Sequence, residues 1–110
     1  MDPLDTRMLS LMVEKINRLI EVCEKHSSDE IKNNFYLSDT IQFEFEKLFE
    51  DTTRLSVLFK LDHPEFPFNK LRGIRNRVAH DYESVIIDVL IDSVKNDLPT
   101  LKEEILKVLS

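Results

Sequence analysis

The sequence predicts an all-α protein, a bundle of four main helices plus one short one. Apolar residues recur at helical spacing along nearly the whole chain. One glycine and four prolines leave almost nothing from which tight β turns could be built. At 110 residues there is material for a single hydrophobic core, and so for one domain, residues 1–110.

Each element has its own signal. Asp2-Pro3 reads as an N-cap followed by proline at the first helical position, and Asp5 adds negative charge near the helix start. This first helix runs to about Lys25 and lines up Met8, Met12, Ile16, Leu19, Ile20 and Cys23 on one stripe. Ser27-Ser28-Asp29-Glu30 marks a stop and a fresh start, for a short helix ending before Tyr36. Ser38 is the expected cap of a long third helix, roughly 39–61. Its residues Ile41, Phe45, Leu48, Thr52, Leu55 and Phe59 step alternately by four and three, a bundle-type seam. Phe43, Phe49, Val57, Leu58 and Leu61 widen that seam, as in a central helix or one that also faces a partner chain.

DHPEFPF (62–68) is a proline-punctuated loop, and a fourth helix covers about 68–80. Ser84 is the expected cap of a fifth helix, with Ile87, Leu90, Val94, Leu98, Leu101, Ile105 and Val108 as its seam. Pro99 falls inside that pattern and predicts a kink near Lys95 to Asn96 rather than a clean break.

Composition excludes several functions. Without further glycines no P-loop or dinucleotide-binding fingerprint can form, and one cysteine with scattered histidines supplies no metal set, so neither cofactor nor metal is expected. A lone Cys23 in so small a domain suggests a reduced, cytoplasmic setting and reads as a buried small hydrophobe. The N-terminus lacks the basic flank and unbroken apolar core of a signal peptide, and no run approaches a membrane span. The net charge of −6 argues against a nonspecific duplex binder.

One window departs from that acidity. KLRGIRNRVAH, Lys70 to His80, holds four cations and no carboxylate, which leaves −10 on the rest of the chain. On a helix at about 100° per residue, Leu71, Ile74, Val78 and Tyr82 share a face expected to point inward. Arg75 and His80 then lie about 140° apart, too far to touch on one helix. Either the helix ends before His80 and redirects it, or another copy of the chain completes the site. Ala79 lies between them and would let a partner helix approach closely.

The pairing has a chemical motive. Cleaving RNA through its own 2′-hydroxyl needs a base for that hydroxyl, an acid for the leaving 5′-oxygen, and cations for the charge on phosphorus. One histidine cannot hold both proton roles at once, and two can. A histidine at a helix C-terminus has its protonated form favoured by the dipole, and arginine binds phosphate through a planar fork that stays charged. From the residues alone, an Arg/His cluster also reads as a solvated helix face, and Asn76 as a local hydrogen-bonding residue.

Arg75-Asn76, four positions between Arg75 and His80, and Tyr82 two past the histidine form an R-x4-H-x-Y pattern. With HPEFPFNKLRGIRNRVAHDY around it and DSVKNDLPTLKEEI (92–105) beyond, the chain resembles the HEPN superfamily, specifically HepT-like toxins of the HepT/MntA toxin–antitoxin type. The resemblance extends weakly over the N-terminal helices. It implies an α-helical homodimer whose two motifs meet in a cleft and cleave RNA without a metal, as the toxin of a type VII-like system. Arg75 and His80 would be catalytic and Asn76 would orient or support them. Tyr82 would accept AMP from a partner nucleotidyltransferase antitoxin of the MNT type, which silences the toxin. Where many relatives carry Gly-Glu-Ala, this chain has Phe49-Glu50-Asp51, and Phe49 fills space that glycine would leave open.

Other residues carry two readings. Lys70, Arg72 and Arg77 either guide RNA or are simple surface charge. Glu50 is a polar support for a cleft or a solvated helix carboxylate. The phenylalanines at 43, 45, 49, 59, 66 and 68 are base-stacking groups or, at helical spacing, core. His26 and His63 lie at a helix end and in a loop. Two competing functions also stand: a non-catalytic HEPN scaffold that binds a nucleotidyltransferase and presents nucleotide or substrate, and a plain helix-bundle interaction domain. Intact Arg75 and His80 favour the ribonuclease, since a scaffold needs neither.

Overall fold

Local capping decides where the helices begin in the computed structural model, which describes residues 1–110. Asp2 accepts the Leu4 N–H at 2.8 Å, Pro3 takes the first helical position, and α1 spans Pro3–Lys25 as the sequence predicts. Helix α2, Ser28–Asn33, starts from a full capping box. Ser27 Oγ accepts from Glu30 N at 3.1 Å and Glu30 accepts from Ser27 N at 3.4 Å.

The expected third helix differs at both ends. It starts at Phe35, because Asn34 rather than Ser38 supplies the cap and accepts from the N–H groups of Tyr36 and Leu37 at 3.0 and 3.3 Å. Ser38 is buried inside the helix and donates to the Ile31 carbonyl at 2.6 Å, sealing the α2–α3 corner. Helix α3 then ends at Arg54, since Leu55 is extended and Ser56 caps a separate helix α4, Val57–Asp62. The four-three seam survives the break, for Leu55 and Phe59 are both buried. Periodicity reports which residues face the core, and a capped corner can preserve it.

Helix α5 occupies Phe68–His80, the predicted span, after the His63–Pro67 loop. Helix α6, Glu83–Asn96, begins with Tyr82 in the cap position and no side-chain cap, so Ser84 lies within its first turn instead of ahead of it. The predicted kink is a division into two helices. Asp97 alone separates α6 from α7, Leu98–Leu109, and Pro99 falls in the first turn of α7, where its missing N–H costs nothing. The bundle thus has seven helices and no strand, because the third and fifth expected helices are each two.

The core is one cluster. Leu9, Met12, Ile16 and Leu19 of α1 meet Ile41, Phe45 and Leu48 of α3, and Leu90, Leu98, Leu101 and Ile105 close the far side. Ile20 and Cys23 pack partly buried at its margin, where burial pushes the Cys23 thiol pKa up. Lys15 and Asp51 join α1 to α3 at 2.7 Å, with side chains only 12% and 7% exposed. Helix α5 is peripheral and packs against α3 and α6. Only Leu71 and Ile74 of its residues are buried, so most of its surface faces outward. No helix is long and apolar enough to cross a membrane.

Candidate active site on the fifth helix

Every side chain the sequence singles out for chemistry lies on α5 or just after it, and all are exposed. The helix ends without a break in geometry at His80, its last residue. The first of the two ways to join Arg75 and His80 therefore fails. His80 is still on the helix, and the two side chains diverge by about 140° within one chain.

Tyr82 corrects the expected inward face. Asp81 and Tyr82 are both extended (φ −92, ψ 164 and φ −68, ψ 151), so the residue leaves helical register before its side chain could join Leu71 and Ile74. Its side chain is 85% exposed, while Val78 is half-buried. The phenol is open to modification.

The cation window is less positive than it reads. Lys70 pairs with Asp97 at the α6–α7 junction, and that hydrogen bond, then the aspartate's charge, raises the lysine pKa. Arg77 Nε donates to Asp81 Oδ2 at 3.3 Å, four residues on. Arg72 and Arg75 keep no ion-pair partner and line the same recess, which lies between α5 and the α3–α4 corner. Lys60 of α4 joins them there. Nothing in the local sequence marks Lys60, because only the fold of α4 brings it across to α5.

The remaining candidates sort by contact. Glu50 holds Arg54 at 2.7 Å and Lys47 at 3.5 Å, a surface ion cluster on α3. Phe45, Phe49, Phe59 and Phe66 are core, and Phe43 is exposed with Lys47 over its ring. Phe49 packs 5.6 Å from Phe45 and its edge lines the recess. His26 and His63 are each held by a glutamate, Glu30 at 3.2 Å and Glu65 at 3.0 Å.

The model of the family described as ribonuclease HepT-like matches residues 12–108. The chain belongs to this HepT-like family, within the HEPN superfamily. A protein of Thermococcus cleftensis named "Probable ribonuclease HepT" is 30% identical over 94 residues, covering 82% of this chain and 86% of the relative. A Methanocaldococcus jannaschii protein named "Gamma-glutamylcyclotransferase and putative RNase" is 26% identical over 105 residues, or 92% of this chain. The HepT-like chain spans 47% of that longer relative. No solved structure gives a significant match.

Proposed function

We propose that this HepT-like chain is an endoribonuclease toxin whose site is assembled from Arg75, Asn76 and His80 of two copies, working without a metal. The observation that carries the reading is that Arg75 is exposed and free of any carboxylate, on the same helix as an exposed His80 that it cannot reach. Family membership and relatives named as ribonucleases support RNA as the substrate class. A two-fold arrangement of α5 helices presents two imidazoles and two guanidiniums to one phosphodiester.

The chemistry follows from those groups. One His80 takes the 2′-hydroxyl proton as the 2′-oxygen bonds to phosphorus. The P–O5′ bond breaks, and the His80 of the second copy donates a proton to the 5′-oxygen. A 2′,3′-cyclic phosphate and a 5′-hydroxyl result. The Arg75 guanidiniums hold the equatorial oxygens while negative charge builds on them, and Asn76, one residue on, orients the strand. Tyr82, exposed two residues past His80, is the acceptor on which a nucleotidyltransferase antitoxin of the MNT type places AMP. The added phosphodiester competes for Arg75 and the adenosine obstructs the cleft.

The test is digestion of single-stranded RNA by the purified chain in excess EDTA, with mapping of the new 3′ ends. Cyclic or 3′-phosphate ends, lost in Arg75→Ala and His80→Ala, are expected. Activity abolished by chelation, or full activity in His80→Ala, contradicts the reading. An inactive chain that still binds its nucleotidyltransferase would point to the scaffold function instead.

A further inference from the structure

The recess beside Arg75 has a composition that the cleavage chemistry does not require. Its volume is about 70 Å³, far below the roughly 300 Å³ at which drug-sized ligands begin to fit, a size suited to a single phosphate group. Lys60, Arg72 and Arg75 reach it from α4 and α5, and no carboxylate lines it. Phe49, Phe68 and Leu71 supply its apolar lining. The hydroxyl protons of Thr52 and Thr53 are already given to the carbonyls of Phe49 and Glu50, at 2.6 and 2.7 Å, so the donors facing a ligand are the three cations. Neither of two wider recesses on the chain carries an excess of side-chain cations: one is lined by both Lys32 and Glu83, and the other by Asp2, Asp5 and Asp62.

The charge balance makes this recess unusual. The protein has 21 carboxylates against 15 lysines and arginines, and the neighbouring Lys70 and Arg77 are each matched to an aspartate. Leaving Lys60, Arg72 and Arg75 unmatched side by side costs mutual repulsion unless an anion joins them. Along α5, Arg72 sits about 12 Å and Arg75 about 7.5 Å from His80 in axial rise. An anion seated on Lys60 and Arg72 is therefore displaced from the imidazole that moves protons.

We infer that Lys60, Arg72 and Arg75 form a phosphate subsite that grips a non-scissile phosphodiester of the RNA strand, next to the one being cut. This rests on the ribonuclease reading and adds Lys60 to it. Arg75 sits at the boundary, between the gripped phosphate and the reacting one. Lys60 and Arg72 act in binding alone.

Binding of fluorescent single-stranded RNA to the full chain carrying His80→Ala, across a series of salt concentrations, tests this without turnover. Adding Lys60→Ala should lower the slope of log affinity against log salt by about 0.7 for each recess the strand occupies. Arg72→Ala should do the same. Lys60→Arg should restore the slope, and Lys107→Ala, a cation of α7 outside this recess, should leave it unchanged. Helical circular dichroism checks that each variant is folded. An unchanged slope in folded Lys60→Ala overturns the subsite while leaving cleavage by Arg75 and His80 standing. Absence of RNA binding by the His80→Ala chain overturns it as well. Conversely, a wild-type chain that cuts no RNA, with the slope changes present, would sink the cleavage reading and keep the subsite. If inorganic phosphate at matched ionic strength raises the melting temperature through Lys60 but the RNA slope does not move, the site takes free phosphate and the RNA assignment is wrong.

Discussion

The carboxylate of Asp5 grips Ser56 twice, accepting from its backbone N–H at 2.8 Å and from its hydroxyl at 2.6 Å. Ser56 Oγ in turn accepts from Phe59 N at 3.0 Å, so one buried aspartate near the start of α1 secures the corner that ends α3 and begins α4. Asp5→Ala leaves those donors without a partner. A loss of about 2 kcal/mol is expected in urea unfolding. Asp2→Ala, which removes an exposed cap, should cost about 1 kcal/mol. A change below about 0.5 kcal/mol in Asp5→Ala would show that the corner does not depend on it.

That corner also explains what the sequence concealed. Ser56 is a good cap residue, yet nothing nearby says that it will be used, because the group that fixes it lies in another helix. Asn34 and Ser38 are both plausible caps, and the choice falls to Asn34 because Ser38 finds the Ile31 carbonyl. By contrast, the starts of α1 and α5 were legible, since Asp2-Pro3 and the proline loop are local signals. At the site, the charge window and its spacing were readable. The neutralisation of Lys70 by Asp97, the entry of Lys60 and the outward turn of Tyr82 were not, for each depends on a helix end or a neighbour elsewhere in the fold.

Asp51 belongs to the core of this chain. Its pair with Lys15 is nearly buried, and Lys15 Nζ at 2.7 Å is the one partner of Asp51 Oδ2. Asp51→Ala strands the lysine charge and should cost about 3–5 kcal/mol. The double variant Lys15→Met with Asp51→Leu should recover most of that loss, read by a double-mutant cycle in denaturant. Strictly additive losses would argue that the pair is not coupled.

Acid sensitivity should trace partly to the α2 cap. The hydrogen bond from His26, then the backbone N–H of Ser27, holds the Glu30 carboxyl below its usual 4.5. A carboxylate depressed by folding stabilises the protein above its unfolded value and loses that contribution as pH falls through the folded one. The stability difference between wild type and Glu30→Gln should therefore shrink on acidification below pH 4.5. Urea titrations at a series of pH values measure it. A difference that stays constant across that range would contradict the assignment.

Exposure alone does not choose the modified tyrosine, because Tyr36 is 71% exposed and stacks on Phe35, while Tyr82 is 85% exposed beside the motif. Co-expression with a nucleotidyltransferase of the MNT type, followed by peptide mass spectrometry, should find AMP on Tyr82 and none on Tyr36. Tyr82→Phe should cleave RNA at close to the wild-type rate and resist neutralisation. Adducts confined to Tyr36, or a Tyr82→Phe chain silenced through another covalent site, would overturn the assignment.

The central claim is that one chain cannot complete the site and two can. Wild-type and His80→Ala chains, carrying different affinity tags, can be unfolded together, refolded and purified through both tags, so that only mixed assemblies remain. Each mixed assembly keeps both Arg75 side chains but a single His80, so one of the two proton roles is left unfilled. Cleavage of single-stranded RNA by the mixed species should fall close to that of the His80→Ala parent. Mixed assemblies that keep about half of the wild-type activity would show that each chain carries its own site.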